Sequence, residues 1–417
     1  MKKIGVALLG LGVVGGGVYR ILQDKREMIK GNEDLDVEVV KVLERNIARC
    51  DELGVDHGKI ASGIDEIIND DSINVVAEFF GGVEPAKSFL KLSLLHGKSI
   101  VTANKEMLSK SWSELEEAAS TTGAGIYFEA SCVGGVPVIR TLTDSMQANQ
   151  ITSLKGIVNG TTNYILSKMS DEGVDYESCL KQAQQLGYAE ANPTADVEGF
   201  DATYKNSILS SLSYKKRVPV DKIYREGISK ISVEDIAVAK ELGYAIKLLA
   251  ISSVNAGSVE ARVHPTLIKS NHPLASVSGP FNALYIHGDN VDDIMLYGRG
   301  AGAFPTASAI VSDIVCAGLK EKHRRFPFEL ENDVVEIATD FECGYYLRFA
   351  GDNANAIEKQ LESSAISVKN CIVNQLSDGA HVIVVTNKAK ESVVKGAIAN
   401  IEKDCAISLD ALIRVEE

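Results

Sequence analysis

The chain has little from which a disulfide scaffold, a membrane span or a nucleic-acid surface could be built. Its seven cysteines (Cys50, Cys132, Cys179, Cys316, Cys343, Cys371 and Cys405) are odd in number, scattered over 417 residues and never in a CxxC pair. That excludes a disulfide framework and a cysteine zinc site, and points to a reducing, cytoplasmic environment. Cys132 sits in a glycine-rich loop, but no neighbouring sequence feature would activate its thiol, so it reads as a small buried residue and not as a nucleophile. No apolar run approaches the ~20 residues that a membrane-spanning helix needs. Positive charge is also in deficit: 43 Lys plus Arg stand against 57 Asp plus Glu, and the net charge of −14 repels phosphate backbones and acidic bilayers. Nucleic acid and membrane are thereby excluded as partners. What remains is an ordinary globular composition, 45 % apolar and 24 % charged, long enough for two or three domains that each bury a core.

The most informative local feature is Gly10-Leu11-Gly12-Val13-Val14-Gly15, placed between a strand-like run (Ile4 to Leu9) and a helix-like one (Val18 to Leu22). A dinucleotide-binding fold puts its phosphate loop there. Gly10 allows the tight turn, Gly12 lets a pyrophosphate approach bare backbone, and Gly15 lets the helix pack on the strand. Met1-Lys2-Lys3 before an apolar run could also open a secretory signal, but no small-x-small cleavage site follows and Tyr19-Arg20 continues a helical pattern.

Strand-like runs then alternate with amphipathic helical ones as far as Glu129: Val37–Leu43, Asn74–Phe79, Ser99–Thr102 and Gly125–Phe128. This predicts an α/β fold, a Rossmann-type doubly wound parallel sheet, over residues 1–130, completed by a returning segment at about 299–325 that opens on Gly298-Arg299-Gly300-Ala301-Gly302. Strand ends at Glu44-Arg45, Phe80-Gly81-Gly82 and Thr102-Ala103-Asn104-Lys105 should line one crevice. Residues 131–298 read as a mixed α+β domain for substrate binding and dimerisation. Residues 344–417 read strand, helix, strand, strand, helix, strand, a ferredoxin-like βαββαβ module with its own core. A chain ending near Phe341 is therefore expected to keep the active site whole.

Chemistry concentrates in Gly187-Tyr188-Ala189-Glu190, Asp196, Asp201 and Lys205. Asp201 and Lys205 could be a plain i,i+4 ion pair, but positions 201, 205, 208, 209 and 212 share a helical face whose last three residues are Ile208, Leu209 and Leu212. A charged pair on a buried stripe is a poor device for stability alone and is how active sites tune proton donors. Lys105 follows the apolar strand Ser99–Thr102 and so stands at the cofactor crevice. Two lysines and two carboxylates near a nicotinamide suit carbonyl reduction of a zwitterionic substrate.

These pieces, with Asn159-Gly160-Thr161-Thr162-Asn163-Tyr164-Ile165-Leu166 and Pro305-Thr306-Ala307, cover most of residues 1–325 in one order, and the chain resembles homoserine dehydrogenases. The resemblance implies NAD(P)-dependent, reversible reduction of L-aspartate 4-semialdehyde to L-homoserine, in threonine and methionine biosynthesis, by a homodimer or homotetramer. It makes Lys205 the proton donor and Lys105 a contact to substrate and nicotinamide. Glu190 and Asp201 would hold the amino acid, with Tyr188, Asp196 and Thr161 nearby. The cofactor would rest on Gly10, Gly12, Val13, Val14, Gly15, Thr102, Lys105, Gly187 and Gly302. It further implies a structural sodium ion held by Glu129 and the carbonyl oxygens of Cys132, Gly134 and Val136, oxygen donors that suit a hard cation.

At the end of the second strand, Arg45 favours the 2′-phosphate of NADP, while Glu44 makes NAD tolerable. The C-terminal module is similar to ACT domains. Where their effector turn often reads Asp-x-Pro-Gly-Val, this chain has Asp352-Asn353-Ala354-Asn355-Ala356, so weak threonine inhibition and a mainly subunit-pairing role are expected. Alternatives are another Rossmann dehydrogenase of amino-acid aldehydes, or a non-catalytic amino-acid sensor. A sensor has no use for Lys205 beside Asp201.

Overall fold

The computed structural model describes residues 1–255, 257–319, 335–377 and 379–416; positions 320–325 of the expected returning segment lie outside the described residues. The chain forms two compact units, 1–160 with 201–223 and 280–335, and 161–200 with 224–279 and 336–417.

The first unit is built on five parallel strands, β1 (Lys2–Leu9), β2 (Leu35–Leu43), β3 (Ile73–Glu78), β4 (Ser99–Thr102) and β5 (Ile126–Tyr127), in the order β2-β1-β3-β4-β5. The strands are continuous apolar runs because helices cover both faces. Ile4, Val6 and Leu8 of β1 face the core shared with helices α1 (Val13–Asp24) and α5 (Ala303–Leu319). Helices α2 (Ala86–Leu95) and α3 (Lys105–Thr122) pack on each other, and α2 also lies against β3 and β4. The expected doubly wound sheet is present, and its order reverses between β1 and β3, where such sheets hold their ligands. Gly10 takes φ +96 at the turn out of β1, and a Cβ on Gly15 would stand 2.2 Å from the Gly10 carbonyl oxygen, so both positions require glycine. The unit also holds three antiparallel strands, Ile151–Ile157, Phe281–Gly288 and Asp292–Arg299, and helix α4 (Phe200–Tyr214) from Asp201 onward.

The second unit carries a sheet in which Tyr244–Asn255, Ser258–Lys269, Leu409–Glu416, Glu342–Ala350, Gly379–Thr386 and Val368–Leu376 lie side by side in that order. The last four strands and the helices Ala354–Ser363 and Glu391–Cys405 form the expected βαββαβ module. Its boundary differs from expectation. Leu409–Glu416 pairs in parallel with Ser258–Lys269, Arg414 to Thr266 through Glu416 to Ile268, so the module shares a sheet with the preceding segment instead of standing alone. Charge also stitches it in. The guanidinium of Arg414, fully buried, donates to Glu391 at 2.7 Å, to the Tyr224 hydroxyl at 2.6 Å and to Glu226. Buried Asp235 accepts from Tyr346 and from Arg348, each at 2.9 Å.

These contacts bear on the stability of a chain ending near Phe341 and leave open whether its active site stays whole. Such a chain leaves Thr266–Ile268 without their parallel partner and takes both Tyr346 and Arg348 from Asp235. It should be aggregated or unfolded in its second unit by size-exclusion chromatography and circular dichroism. A monodisperse fragment with native dichroism would contradict this.

Candidate active site

Helix α4 is a run of small polar and apolar residues buried on almost every side. Three of its serines donate within the helix, Ser210 to Asn206 Oδ1 at 2.9 Å, Ser211 to the Ser207 carbonyl at 2.6 Å and Ser213 to the Leu209 carbonyl at 2.8 Å, while Ser207 donates to the Val218 carbonyl at 2.6 Å. The single buried face expected from the sequence is therefore an underestimate: the charged pair is enclosed by burial all around the helix.

Within it, Asp201 and Lys205 form the expected i,i+4 pair, Nζ to Oδ2 2.6 Å, and both are buried. Lys105 at the start of α3 brings its Nζ to 3.2 Å from the other oxygen, Oδ1. One carboxylate thus stands between two ammoniums. Asn159 donates to Oδ2 at 2.8 Å, and the Val158 carbonyl accepts from Lys205 Nζ at 2.7 Å. Burial alone would raise the Asp201 carboxyl, but the charges of Lys205 and Lys105 and the hydrogen bonds from Lys205 and Asn159 hold it well below the usual carboxylate range. Asp201, expected to hold the substrate's ammonium, has both oxygens engaged by the protein's own lysines. Two of the three Lys205 N–H groups are spent on Asp201 and Val158. The third has no acceptor among the described residues.

Cys132 packs beneath this pair, its Sγ 4.0 Å from the Lys205 carbonyl oxygen, and burial pushes its thiol up to about 12. It is the small buried residue expected from the sequence. Glu129 accepts the Ile139 and Arg140 N–H groups at 2.9 and 3.0 Å, and the following loop turns through left-handed Val133 and Gly134 at φ +56 and +50.

Between the carboxyl ends of β1, β2 and β3 lies a cavity of about 910 Å³, lined among others by Gly10, Gly12, Glu44, Arg45, Phe79 and Phe80. A Cβ on Gly12 would meet nothing within 4 Å, so the phosphate loop opens on free space. Val13 is 71 % exposed and Val14 half-buried. Glu44 clamps the loop from below: its Oε2 accepts the Leu11 N–H at 2.7 Å and its Oε1 the Asn46 N–H at 2.8 Å. Arg49 completes the clamp, Nε donating to the Leu11 carbonyl at 2.9 Å. Arg45 is exposed at the cavity with no hydrogen-bond or ion-pair partner among the described residues. Thr102, expected to touch the cofactor, is fully buried, and its side chain is turned to Glu78 instead.

The remaining expected residues belong to the second unit, apart from Gly302 at φ +118 in the first. Thr161 is buried and donates to the Tyr188 carbonyl at 2.6 Å, and the rings of Tyr164 and Tyr188 are 5.0 Å apart. Gly187 is left-handed at φ +76, Asp196 is half-buried, and Glu190 is exposed with its carboxylate unpaired among the described residues. Sequence reasoning missed Asn159, Val158, Arg49 and Glu78. Asn159 stood in a noted motif, but nothing local announces its partner 42 residues away.

Comparison with known proteins agrees. The family model described as homoserine dehydrogenase matches residues 137–315, and that of the homoserine dehydrogenase NAD binding domain matches 10–129. The homoserine dehydrogenase of Synechocystis sp. is 38 % identical, with 98 % of this chain and 99 % of that protein covered. A crystal structure of a homoserine dehydrogenase from Thiobacillus denitrificans superposes with a TM-score of 0.93 at 38 % identity, covering 100 % of this chain and 99 % of that one. A hyperthermophilic archaeal homoserine dehydrogenase in complex with NADPH gives a TM-score of 0.65 at 27 % identity over 78 % of this chain and all of that one. Among the described residues no helix is long and apolar enough to cross a membrane.

Proposed function

The chain belongs to the homoserine dehydrogenase family, NAD(P)-dependent oxidoreductases that interconvert L-aspartate 4-semialdehyde and L-homoserine, and from that premise we propose roles for its own residues. The observation that carries the assignment is the Asp201 carboxylate shared by the Lys105 and Lys205 ammoniums. Lys205, held by Asp201 and the Val158 carbonyl, presents its remaining N–H to the aldehyde oxygen and protonates the developing alkoxide. Lys105 adds a second positive charge beside that oxygen and stands at the strand end that borders the nicotinamide. Asp201 keeps the two ammoniums together without itself taking the substrate. Glu190 takes the substrate's ammonium, with Tyr188, Asp196 and Thr161 around it. When bound, the reduced nicotinamide supplies the hydride. Incubating the full chain with homoserine and either oxidised cofactor, with Lys105 and Lys205 variants alongside, tests the set.

The residues fit a dinucleotide: an open Gly12 on a 910 Å³ cavity accommodates the pyrophosphate, with Gly10, Val13, Val14 and Gly15 around it and Gly187 and Gly302 as further contacts. Preference goes to NADP, because Glu44 is consumed by Leu11 and Asn46 while Arg45 remains available for a 2′-phosphate. Arg45→Ala should raise KM for NADP about tenfold, for ~1.4 kcal/mol of lost pairing, and leave KM for NAD within about twofold. Equal effects on both cofactors in steady-state assays would refute it. The donor set of Glu129 with the carbonyls of Cys132, Gly134 and Val136 is all oxygen and suits a structural sodium ion. The seven thiols, all free, suit the cytoplasm. The βαββαβ module, ACT-like in strand order, serves the pairing of subunits into a dimer or tetramer, with weak threonine inhibition at most.

A further inference from the structure

Glu78 is a buried carboxyl that the proposed chemistry leaves unused. It ends β3 at the point where the sheet order reverses, flanked by Leu9 of β1 and Thr102 of β4, and is fully buried. Its Oε2 accepts the Thr102 hydroxyl at 2.6 Å, and its Oε1 accepts the Phe80 N–H at 2.5 Å. Thr102 Oγ1 in turn accepts the Asn104 N–H at 3.0 Å. Asn104 faces two ways: its Oδ1 caps α3 by accepting the Met107 N–H at 3.0 Å, and its Nδ2 donates to the Gly82 carbonyl at 2.7 Å. One carboxyl therefore ties the segment Phe79–Gly82, whose Phe79, Phe80 and Gly81 wall the dinucleotide cavity, to the first turn of the helix that begins with Lys105.

We infer that Glu78 is a positioning residue for the reaction: through Thr102 and Asn104 it holds the Phe79–Gly81 wall of the cofactor cavity in register with Lys105. The inference rests on the placement of Lys105 at the reacting centre.

A carboxyl is a poor choice here for stability. Burial pushes it up to about 7, against the pull of hydrogen bonds from Thr102, Phe80 and Asn104. The charged side chains on neighbouring elements are engaged elsewhere. Asp313 of α5 serves the Glu129 N–H and Arg140, Lys105 faces Asp201, Glu106 pairs with Lys110, and Lys87 and Lys91 of α2 pair with Glu114. The native value lies above the unfolded one of about 4.3. Its contribution to stability is therefore full below that pH and is lost as pH rises through 7. What the carboxylate offers is an acceptor without a proton of its own. When protonated it must donate, and Thr102 Oγ1 already carries a proton and an incoming N–H, so one link in the chain has to reverse. The tie is whole above neutral pH and loosened below it.

The test is fluorescence titration of NADPH against the full chain at about pH 6 and pH 8, with thermal melts beside it. Wild type should bind several-fold more weakly at the lower pH. Glu78→Gln should weaken binding about tenfold at pH 8, flatten the pH dependence, and melt no lower than wild type there, since the buried charge is gone. Thr102→Val should weaken binding similarly, and the double variant should be no worse than either alone, because both cut one network. Binding within about twofold of wild type in both variants, or an unchanged pH dependence in Glu78→Gln, overturns the inference. Should Glu78→Gln fail to fold, Thr102→Val decides. Lys105→Ala keeps the two assignments apart: normal turnover there removes Lys105 from the centre, whereas lost turnover there with unaffected Glu78→Gln removes only Glu78.

Discussion

Lys205→Ala is expected to lower kcat for homoserine oxidation by about a hundredfold or more while leaving cofactor affinity nearly intact, the usual scale for a lost general acid or base. The side chain lies in a pocket of its own helix and the Val158 carbonyl, away from the glycine loop, so nothing that forms the dinucleotide cavity depends on it. The variant should fold, because Asp201 retains Lys105 at 3.2 Å and the Asn159 amide at 2.8 Å and is not left as an isolated buried charge. Circular dichroism establishes the fold, and stopped-time assays at saturating homoserine and cofactor read kcat. Near-normal turnover in a folded protein would remove Lys205 from the mechanism.

Asp201→Asn should be as damaging to activity and more damaging to stability. The amide cannot balance two ammoniums, so Lys105 and Lys205 repel each other in a buried site and move apart, and a displacement of about 1 Å in a reacting group can cost about a hundredfold in rate. Breaking a buried ion pair from one side removes about 3–5 kcal/mol. The pH dependence supplies a check. The native carboxyl is held below its unfolded value of about 3.9, so its contribution is complete above that pH and is lost as the solution is acidified toward the native value. Urea unfolding at neutral pH should show the full deficit, and the gap between wild type and variant should narrow below about pH 4. A constant gap across that range would mean that Asp201 is not an ionised clamp.

Much of the architecture was legible in local pattern. The runs Ile4–Leu9, Val37–Leu43 and Ser99–Thr102 appear as strands within a residue or two of their expected ends, because strands buried on both faces are written as unbroken apolar runs. The Asp201–Lys205 pair was legible too, since four residues bring two side chains to the same side of a helix whatever surrounds it. Long-range pairing was not. Nothing near Lys105 says that its partner lies 96 residues on, and nothing in Glu44 says that it will hold Leu11 instead of a ribose. The C-terminal module showed its six elements and its own core but not the strand its edge pairs with, because strand periodicity reports which face is buried and is silent about which edge finds a partner.

The sequence by itself thus determined the elements, the phosphate loop and the chemical character of the site, all consequences of contacts within a turn or a strand. Only the tertiary structure decided how the charges are distributed. It gave Asp201 to two lysines, left Glu190 and Arg45 without partners among the described residues, and joined Glu78 through Thr102 to Asn104, the residue before Lys105. The physical reason is that a buried polar group must find a partner wherever the fold brings one within about 3 Å, and that proximity is set by the packing of whole elements and not by spacing along the chain.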